Sequence, residues 1–476
     1  MRALLSGLAA VSLAAAIPET VQAQLDPLSQ EMVVYDQQTI ALTGAQVIDG
    51  TGAAPKANQT LVIENGRILA LGDADSTRVP GGATTIDMAG KTLLPGFVMV
   101  HEHLFYPSTR EYLQFPLSFP LLYLAGGETT IRTAGAINAY GDLNMRDRIA
   151  RGDSLGPDID VTAPYLEANN PFTLIMPNLR NPDDARDLVD YWSGQGATSF
   201  KAYMDVTRAQ LKAGIDAAHR HGWKITGHLC SVTYAEAAQM GIDNLEHGFA
   251  AATDFVKAKQ PDQCPSGREL RESIAALDPA SSEAQALIAL LVENKVAVTS
   301  TLATFEGRDP NHPNAKDAAL DLLVPEYQAH YLKNRSRFFT DRNEGQLRDG
   351  YLAGTMRMEK AFSDAGGLLL AGSDPTGIGG VVPGFSSKRV FALLVESGFS
   401  VPQTVQIMTL NGARFLERDA DVGTLAIGKR ADIVVIDGDL IATPEAIETM
   451  PLVFKAGLGI ETKRIFDRLR GTVGLW

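Results

Sequence analysis

The chain is poor in cysteine: Cys230 and Cys264 are the only two in 476 residues. A chain of this length has core enough without disulfides, so a cross-linked miniature scaffold is excluded. Positive charge is also short, with 42 Lys and Arg against 56 Asp and Glu, a net charge of −14. Such a surface repels phosphate backbones and argues against a nucleic-acid partner. Beyond the first residues there is no uninterrupted apolar run long enough to cross a bilayer. Low-complexity tracts and short internal repeats are lacking too. Apolar residues at 45% and charged residues at 21% are ordinary for a globular chain. They exclude wholesale disorder, a coiled coil and a multi-pass membrane protein.

The N-terminus reads as a leader. Arg2 gives a short positive region, Leu4 to Ile17 is apolar and small, and Val21-Gln22-Ala23 fits a small-x-small cleavage site. Cleavage after Ala23 and export to the periplasm or medium are expected, leaving no membrane attachment. The alternatives are an N-terminal anchor or an amphipathic helix. Whether Cys230 and Cys264 pair is not readable from spacing. For Cys230 the favoured reading is a small buried apolar residue.

Two all-β stretches stand at opposite ends of the chain. Residues 39–95 contain short strands with turns, and Glu64-Asn65-Gly66-Arg67 between apolar alternations signals a hairpin. Residues 421–437 repeat that style. A sheet begun by one end and completed by the other leaves the middle as one insertion. The middle alternates β-branched runs with helical patterns. Eight strands are expected near VMVHEH (98–103), TTIRTA (129–134), IDVTAPY (159–165), ATSFKAY (197–203), KITGHL (224–229), IDNLEHG (242–248), VAVTST (296–301) and LLLAGSDP (368–375). Helices such as TRAQLKAGIDAAHRHG (207–222) and TYAEAAQMG (233–241) lie between them, each stopped by glycine. The pattern predicts an α/β chain with a (β/α)8 TIM barrel and a β-sandwich built from both termini. The expected boundaries are 1–23 leader, 24–95 first sandwich part, 96–420 barrel, and 421–476 second sandwich part and tail. The rival, an open doubly wound sheet, lacks its GxGxxG cue after the first strand.

Barrel chemistry gathers at the C-terminal ends of strands. His101 and His103 close the first strand, Lys201 lies near the end of the fourth, and His228 and His247 close the fifth and sixth. Asp374 follows the eighth. The other histidines, 219, 221, 312 and 330, fall in helices or loops. Side chains at i and i+2 of a strand share a face, so His101 and His103 can grip one ion. Imidazole and carboxylate suit zinc and its first-row neighbours. Such an ion lowers the pKa of bound water to about 7. Asp374 can bind metal and also take the proton of that water. Taken singly, each histidine reads better as a core group and Lys201 as a snorkelling surface residue. All six at strand ends point to a site.

PGFVMVHEHL, GGETTIRTAG, SFKAYM, GHL, LEHG, LLLAGSDP and the tail VGTLAIGKRADIVVIDGDL together resemble the amidohydrolase superfamily of metal-dependent hydrolases. The branch resembled most is that of imidazolonepropionase-like proteins and Xaa-Pro dipeptidases. The resemblance implies two divalent metal ions, with Zn2+ the expected metal. His101, His103 and Asp374 would hold one, His228 and His247 the second, and carboxylated Lys201 would bridge both. It implies a metal-dependent peptidase or amidase, in which a metal-bridging hydroxide attacks a C–N amide bond of a dipeptide or N-acyl amino acid. The SFKAYM lysine argues against imidazolonepropionase itself. The alternatives are an esterase, lactonase or phosphotriesterase on the same site, and a catalytically dead binding protein, which should have lost ligands. Oligomeric state stays open, though relatives commonly assemble.

Two positions depart from the family pattern. Glu102 stands between the histidines and should face the opposite side, where a bare carboxylate is costly. Thr133 stands where the family often has Asp. Tyr203, two residues beyond Lys201, could donate its hydroxyl to substrate as a catalytic group or simply line the pocket. Residues 164–180 and 302–335 read as long loops, candidate lids. Arg308, in the second, could meet a substrate carboxylate, but a solvated charge is the favoured reading.

Overall fold

The computed structural model describes residues 25–107, 112–168, 176–309, 311–312, 315–336, 342–376 and 381–475. The expected leader, 1–23, lies outside the described residues, as do 169–175 of the first long loop.

Eight parallel strands appear where the apolar runs place them. They are β1 (Phe97–Glu102), β2 (Glu128–Thr133), β3 (Asp158–Asp160), β4 (Ser199–Ala202), β5 (Lys224–Gly227), β6 (Asn244–Glu246), β7 (Ala297–Ser300) and β8 (Leu369–Ala371). Every residue of β1, β2 and β4 is buried. Continuous burial on both faces is what a parallel sheet covered by helices requires. Hydrogen bonding groups the strands as β3-β2-β1 and β4-β5-β6-β7-β8. Single parallel bridges, Thr162 to Ser199 and Leu166 to Ala202, tie the chain after β3 to β4. On the other side Asp374 N donates to His101 O at 3.0 Å, joining the end of β8 to β1. Gly372 permits this approach, because a Cβ there would stand 2.2 Å from the Cβ of His101.

Helices separate the strands. The expected segment 207–222 forms Arg208–Arg220, opened by a capping box of Thr207 and Gln210. Segment 233–241 forms Tyr234–Met240, capped by Thr233 and Glu236 and stopped at Gly241, whose φ is 93°. The stretch after β7 differs from expectation. It carries helices Leu302–Glu306, Asp317–Leu320 and Pro325–Ser336, so 302–335 is not a bare loop.

Strands from the two chain ends share one nine-stranded sheet. Thr92–Pro95 pairs with Ile433–Ile436, and Val33–Tyr35 pairs with Leu458–Glu461. The expected hairpin joins Lys56–Glu64 to Arg67–Asp73, with Asn65 and Gly66 both at positive φ, as a two-residue turn of this type demands. The C-terminal segment ends in a helix, Thr462–Leu469. Among the described residues no helix is long and apolar enough to cross a membrane.

Candidate active site

Five of the six side chains singled out at strand ends, His103, Lys201, His228, His247 and Asp374, line one cavity of about 360 Å³, and His101 lies against them. His101, His103 and Asp374 form its tightest group, each offering a ligand atom within 4.8 Å of the others. His103 Nε2 lies 3.2 Å and His101 Nε2 3.6 Å from Asp374 Oδ1. Lys201 Nζ is 3.3 Å from His101 Nε2. His247 Nδ1 stands 3.9 Å from Asp374 Oδ2, and the His228 ring packs 4.1 Å from the His247 ring, centroid to centroid. Residues spread over more than 270 positions are thereby in reach of one another.

Burial sets the charge states. It pushes His103 down to about 4, His228 down to about 3 and His247 well below the usual imidazole range. Neutral imidazoles have a lone pair to offer. Burial likewise lowers Lys201 to about 8. Asp374 is held well below the ordinary carboxylate range: burial opposes ionisation, but the hydrogen bond and charge of His101 and the bond to His103 outweigh it. A full carboxylate, neutral imidazoles and a lysine of low basicity are a donor set that suits borderline divalent cations.

Outer contacts fix each donor. His247 Nδ1 is bonded to Thr301 Oγ1 at 2.8 Å, leaving Nε2 as its other donor. His103 Nδ1 donates to Gly135 O at 3.2 Å. His101 Nδ1 donates to Glu246 Oε2 at 2.7 Å. Glu246 in turn accepts from Arg132 Nη1 at 3.0 Å. Arg132 is fully buried and also donates to Ser199 Oγ, Val100 O and Thr226 Oγ1 at 2.7–2.9 Å. This Arg132–Glu246–His101 chain locks a ring orientation, as outer-shell carboxylates do for metal-ligating histidines. Sequence reasoning missed it. Alternation along a strand sets Glu246 and His247 on opposite faces, but His247 has φ 69°. The strand ends one residue earlier, at Glu246, and both side chains reach His101.

The two departures from the family pattern are resolved. Glu102 accepts from Ser373 N at 2.7 Å and is also bonded to Ser373 Oγ, so it braces the residue before Asp374. Burial raises its carboxyl to about 8. Thr133 Oγ1 accepts from Thr162 N at 3.0 Å, linking β2 to the chain after β3.

Tyr203 lines the cavity, its ring 4.9 Å from that of His228 and 5.0 Å from that of Tyr165. Arg308 overturns the expectation of a solvated charge. It is half-buried on the cavity wall, 5.5 Å over the Phe305 ring, and its Nε is buried without a hydrogen-bond partner. Arg271 and Arg348 line the same wall. Cys230 also lines the cavity, and it is bonded to Cys264 rather than sitting as a free apolar residue.

Comparison with known proteins follows the same residues. Enamidase from Eubacterium barkeri is 33% identical over 102 residues, 21% of this chain and 26% of that enzyme, so the match spans about a quarter of its length. A bottromycin amidohydrolase structure superposes with a TM-score of 0.69 at 20% identity, covering 93% of this chain and 92% of that one. An Xaa-Pro dipeptidase with bound methionine gives 0.66 at 17% identity, covering 89% of this chain and all of that one. These two likenesses concern the fold. The model of the amidohydrolase family matches residues 92–458, from the last N-terminal strand through the eight parallel strands to the C-terminal sheet. The chain belongs to the amidohydrolase family.

Proposed function

We propose that the protein is an exported, metal-dependent hydrolase of C–N amide bonds, acting on dipeptides or N-acyl amino acids. One observation carries this reading: His103, Lys201, His228, His247 and Asp374 line one cavity, His101 is grouped with His103 and Asp374 behind them, and the same wall bears Arg308, whose Nε is buried without a hydrogen-bond partner among the described residues. A substrate with an amide at one end and a carboxylate at the other fits that polarity. The neighbours' names, a dipeptidase and an amidohydrolase, accord with it. The eight parallel strands are read as a (β/α)8 barrel, supported by the bridges flanking β4 and the Asp374–His101 bond. The sheet of both termini is read as the composite sandwich. The Cys230–Cys264 bond supports export, because disulfides persist in oxidising compartments.

His101, His103 and Asp374 would hold one divalent cation, and His228 and His247 a second. Lys201 would be carboxylated and shared, its amine adding to CO2 with loss of a proton to leave an anionic carbamate. Zinc is the expected metal, and two such ions would supply an acidified water and a polarised carbonyl. The chain's own residues do the rest. Asp374, kept ionised, accepts the proton of the attacking water and returns it to the leaving nitrogen. Tyr203, on the cavity wall, donates to the substrate oxygen. Arg308 receives the terminal carboxylate and sets the register of the scissile bond.

The test is a hydrolysis screen with Zn2+ and bicarbonate over dipeptides, N-acyl amino acids, esters and phosphotriesters, with elemental analysis alongside. Turnover of carboxylate-bearing amides, lost together with bound metal in His101→Ala, is expected. Turnover of a phosphotriester with none of any amide overturns the substrate class.

A further inference from the structure

A second group of metal donors lies outside the cavity floor. Asp309, His312 and Asp349 each present a ligand atom within 4.8 Å of the other two. Asp309 and His312 belong to the turn after helix Leu302–Glu306, and Asp349 to helix Arg342–Asp364. Asp309 is 1% exposed. Its Oδ1 accepts from Asn311 N at 2.9 Å, while its Oδ2 is buried with no hydrogen-bond partner. A buried carboxylate oxygen without a donor is costly, and a second carboxylate beside it adds repulsion.

The histidine of this group is already oriented. His312 Nδ1 is bonded to Glu306 Oε1 at 2.8 Å. Glu306 is itself held by Arg389 Nε, at 2.8 and 3.0 Å from its two oxygens. That leaves Nε2 as the donor of His312. A carboxylate on one imidazole nitrogen with a cation on the other is the recurrent outer-shell arrangement of metal sites. The backbone of the turn is pinned as well: Arg335 donates to Gly307 O at 3.0 Å and to Asp309 O at 3.4 Å.

We propose that Asp309, His312 and Asp349 bind a divalent first-row cation, Zn2+ by preference, as a structural site separate from the strand-end cluster. Imidazole with carboxylates favours zinc over calcium or magnesium, which take all-oxygen shells. Three protein donors leave a coordination position for water. The ion joins the turn that carries Arg308 to the helix that carries Arg348, and both arginines line the substrate cavity. It thus stiffens the wall assigned to the substrate carboxylate.

The experiment is Zn2+ titration of metal-free full-length protein by calorimetry, with elemental analysis of the loaded form. It reads binding alone, so its outcome is independent of whether amides are the substrate. His312→Ala should bind one equivalent fewer than wild type. Asp349→Asn, at an exposed position on its helix, should show the same loss without disturbing the fold. In a background carrying His101→Ala, His103→Ala, His228→Ala and His247→Ala, which removes the histidine donors of both strand-end ions, one equivalent should remain, and adding Asp349→Asn should remove it. Unchanged stoichiometry in Asp349→Asn, with thermal melting showing a folded protein, overturns the proposal. In that case His312 is only an imidazolium paired with its carboxylate neighbours.

Discussion

Replacing Glu246 by Gln probes the link between the buried arginine and the candidate metal ligand His101. Glu246 is fully buried and uses one oxygen for His101 Nδ1 at 2.7 Å and the other for Arg132 Nη1 at 3.0 Å. A glutamine has one oxygen, so whichever way the amide turns, its NH2 faces a donor. One buried donor loses its partner, at about 1–3 kcal/mol. Arg132 also loses its counter-charge, and breaking a buried pair costs about 3–5 kcal/mol. It keeps Ser199 Oγ, Val100 O and Thr226 Oγ1, so the low end, about 3 kcal/mol, is expected. His101 loses the acceptor that fixes its tautomer. Losing such a partner weakens metal binding about 10–100-fold, or ~1.4–2.7 kcal/mol. Chelator competition measures the affinity and thermal melting the stability. Thr226→Val is the control, since it removes one acceptor of Arg132 yet leaves Glu246 on His101. A folded Glu246→Gln protein holding metal within about twofold of wild type would refute the idea that Glu246 sets the orientation and tautomer of His101.

Glu359 is fully buried and burial raises its carboxyl to about 8. Between its unfolded value near 4.5 and that raised value the native state holds a proton that the unfolded chain has lost. Stability therefore falls as pH rises through this window, by roughly 5 kcal/mol at full effect. Glu359→Gln should flatten the decline in melting temperature between pH 5 and 8, and an unchanged slope relative to wild type counts against this carboxyl. Cys264→Ser opens the loop closed by a disulfide across 34 residues. The chain-entropy estimate is about 4 kcal/mol. Melting with and without reductant should show the loss in wild type only, and equal melting of variant and wild type under oxidising conditions overturns it.

Much of the arrangement was legible because it is written in local patterns. Eight apolar runs gave eight parallel strands, and the strand ends gave His101, His103, Lys201, His228, His247 and Asp374, which the fold brings together, all but His101 on the cavity wall. What escaped depends on contacts between distant residues. The partner of Arg132 is 114 positions away, and that of Glu102 is 271 away. The positive φ of His247 and Asp374 breaks the alternation on which face assignments rest. Arg308 looked like a solvated charge because its burial comes from aromatic and helical neighbours that spacing does not report. The pairing of Cys230 with Cys264 needed the fold of the helix and strand between them.

The sheet shared by both chain ends has a consequence for synthesis. Leu94 pairs with Val434 and Val33 with Ile460, so the strand Thr92–Pro95, interior in the finished sheet, has one bare edge until nearly the whole polypeptide has left the ribosome. Pairing this distant in sequence is slow to form, and an open edge invites association with other nascent chains. A message truncated before codon 433 would yield a product with its eight parallel strands complete and its seam unzipped.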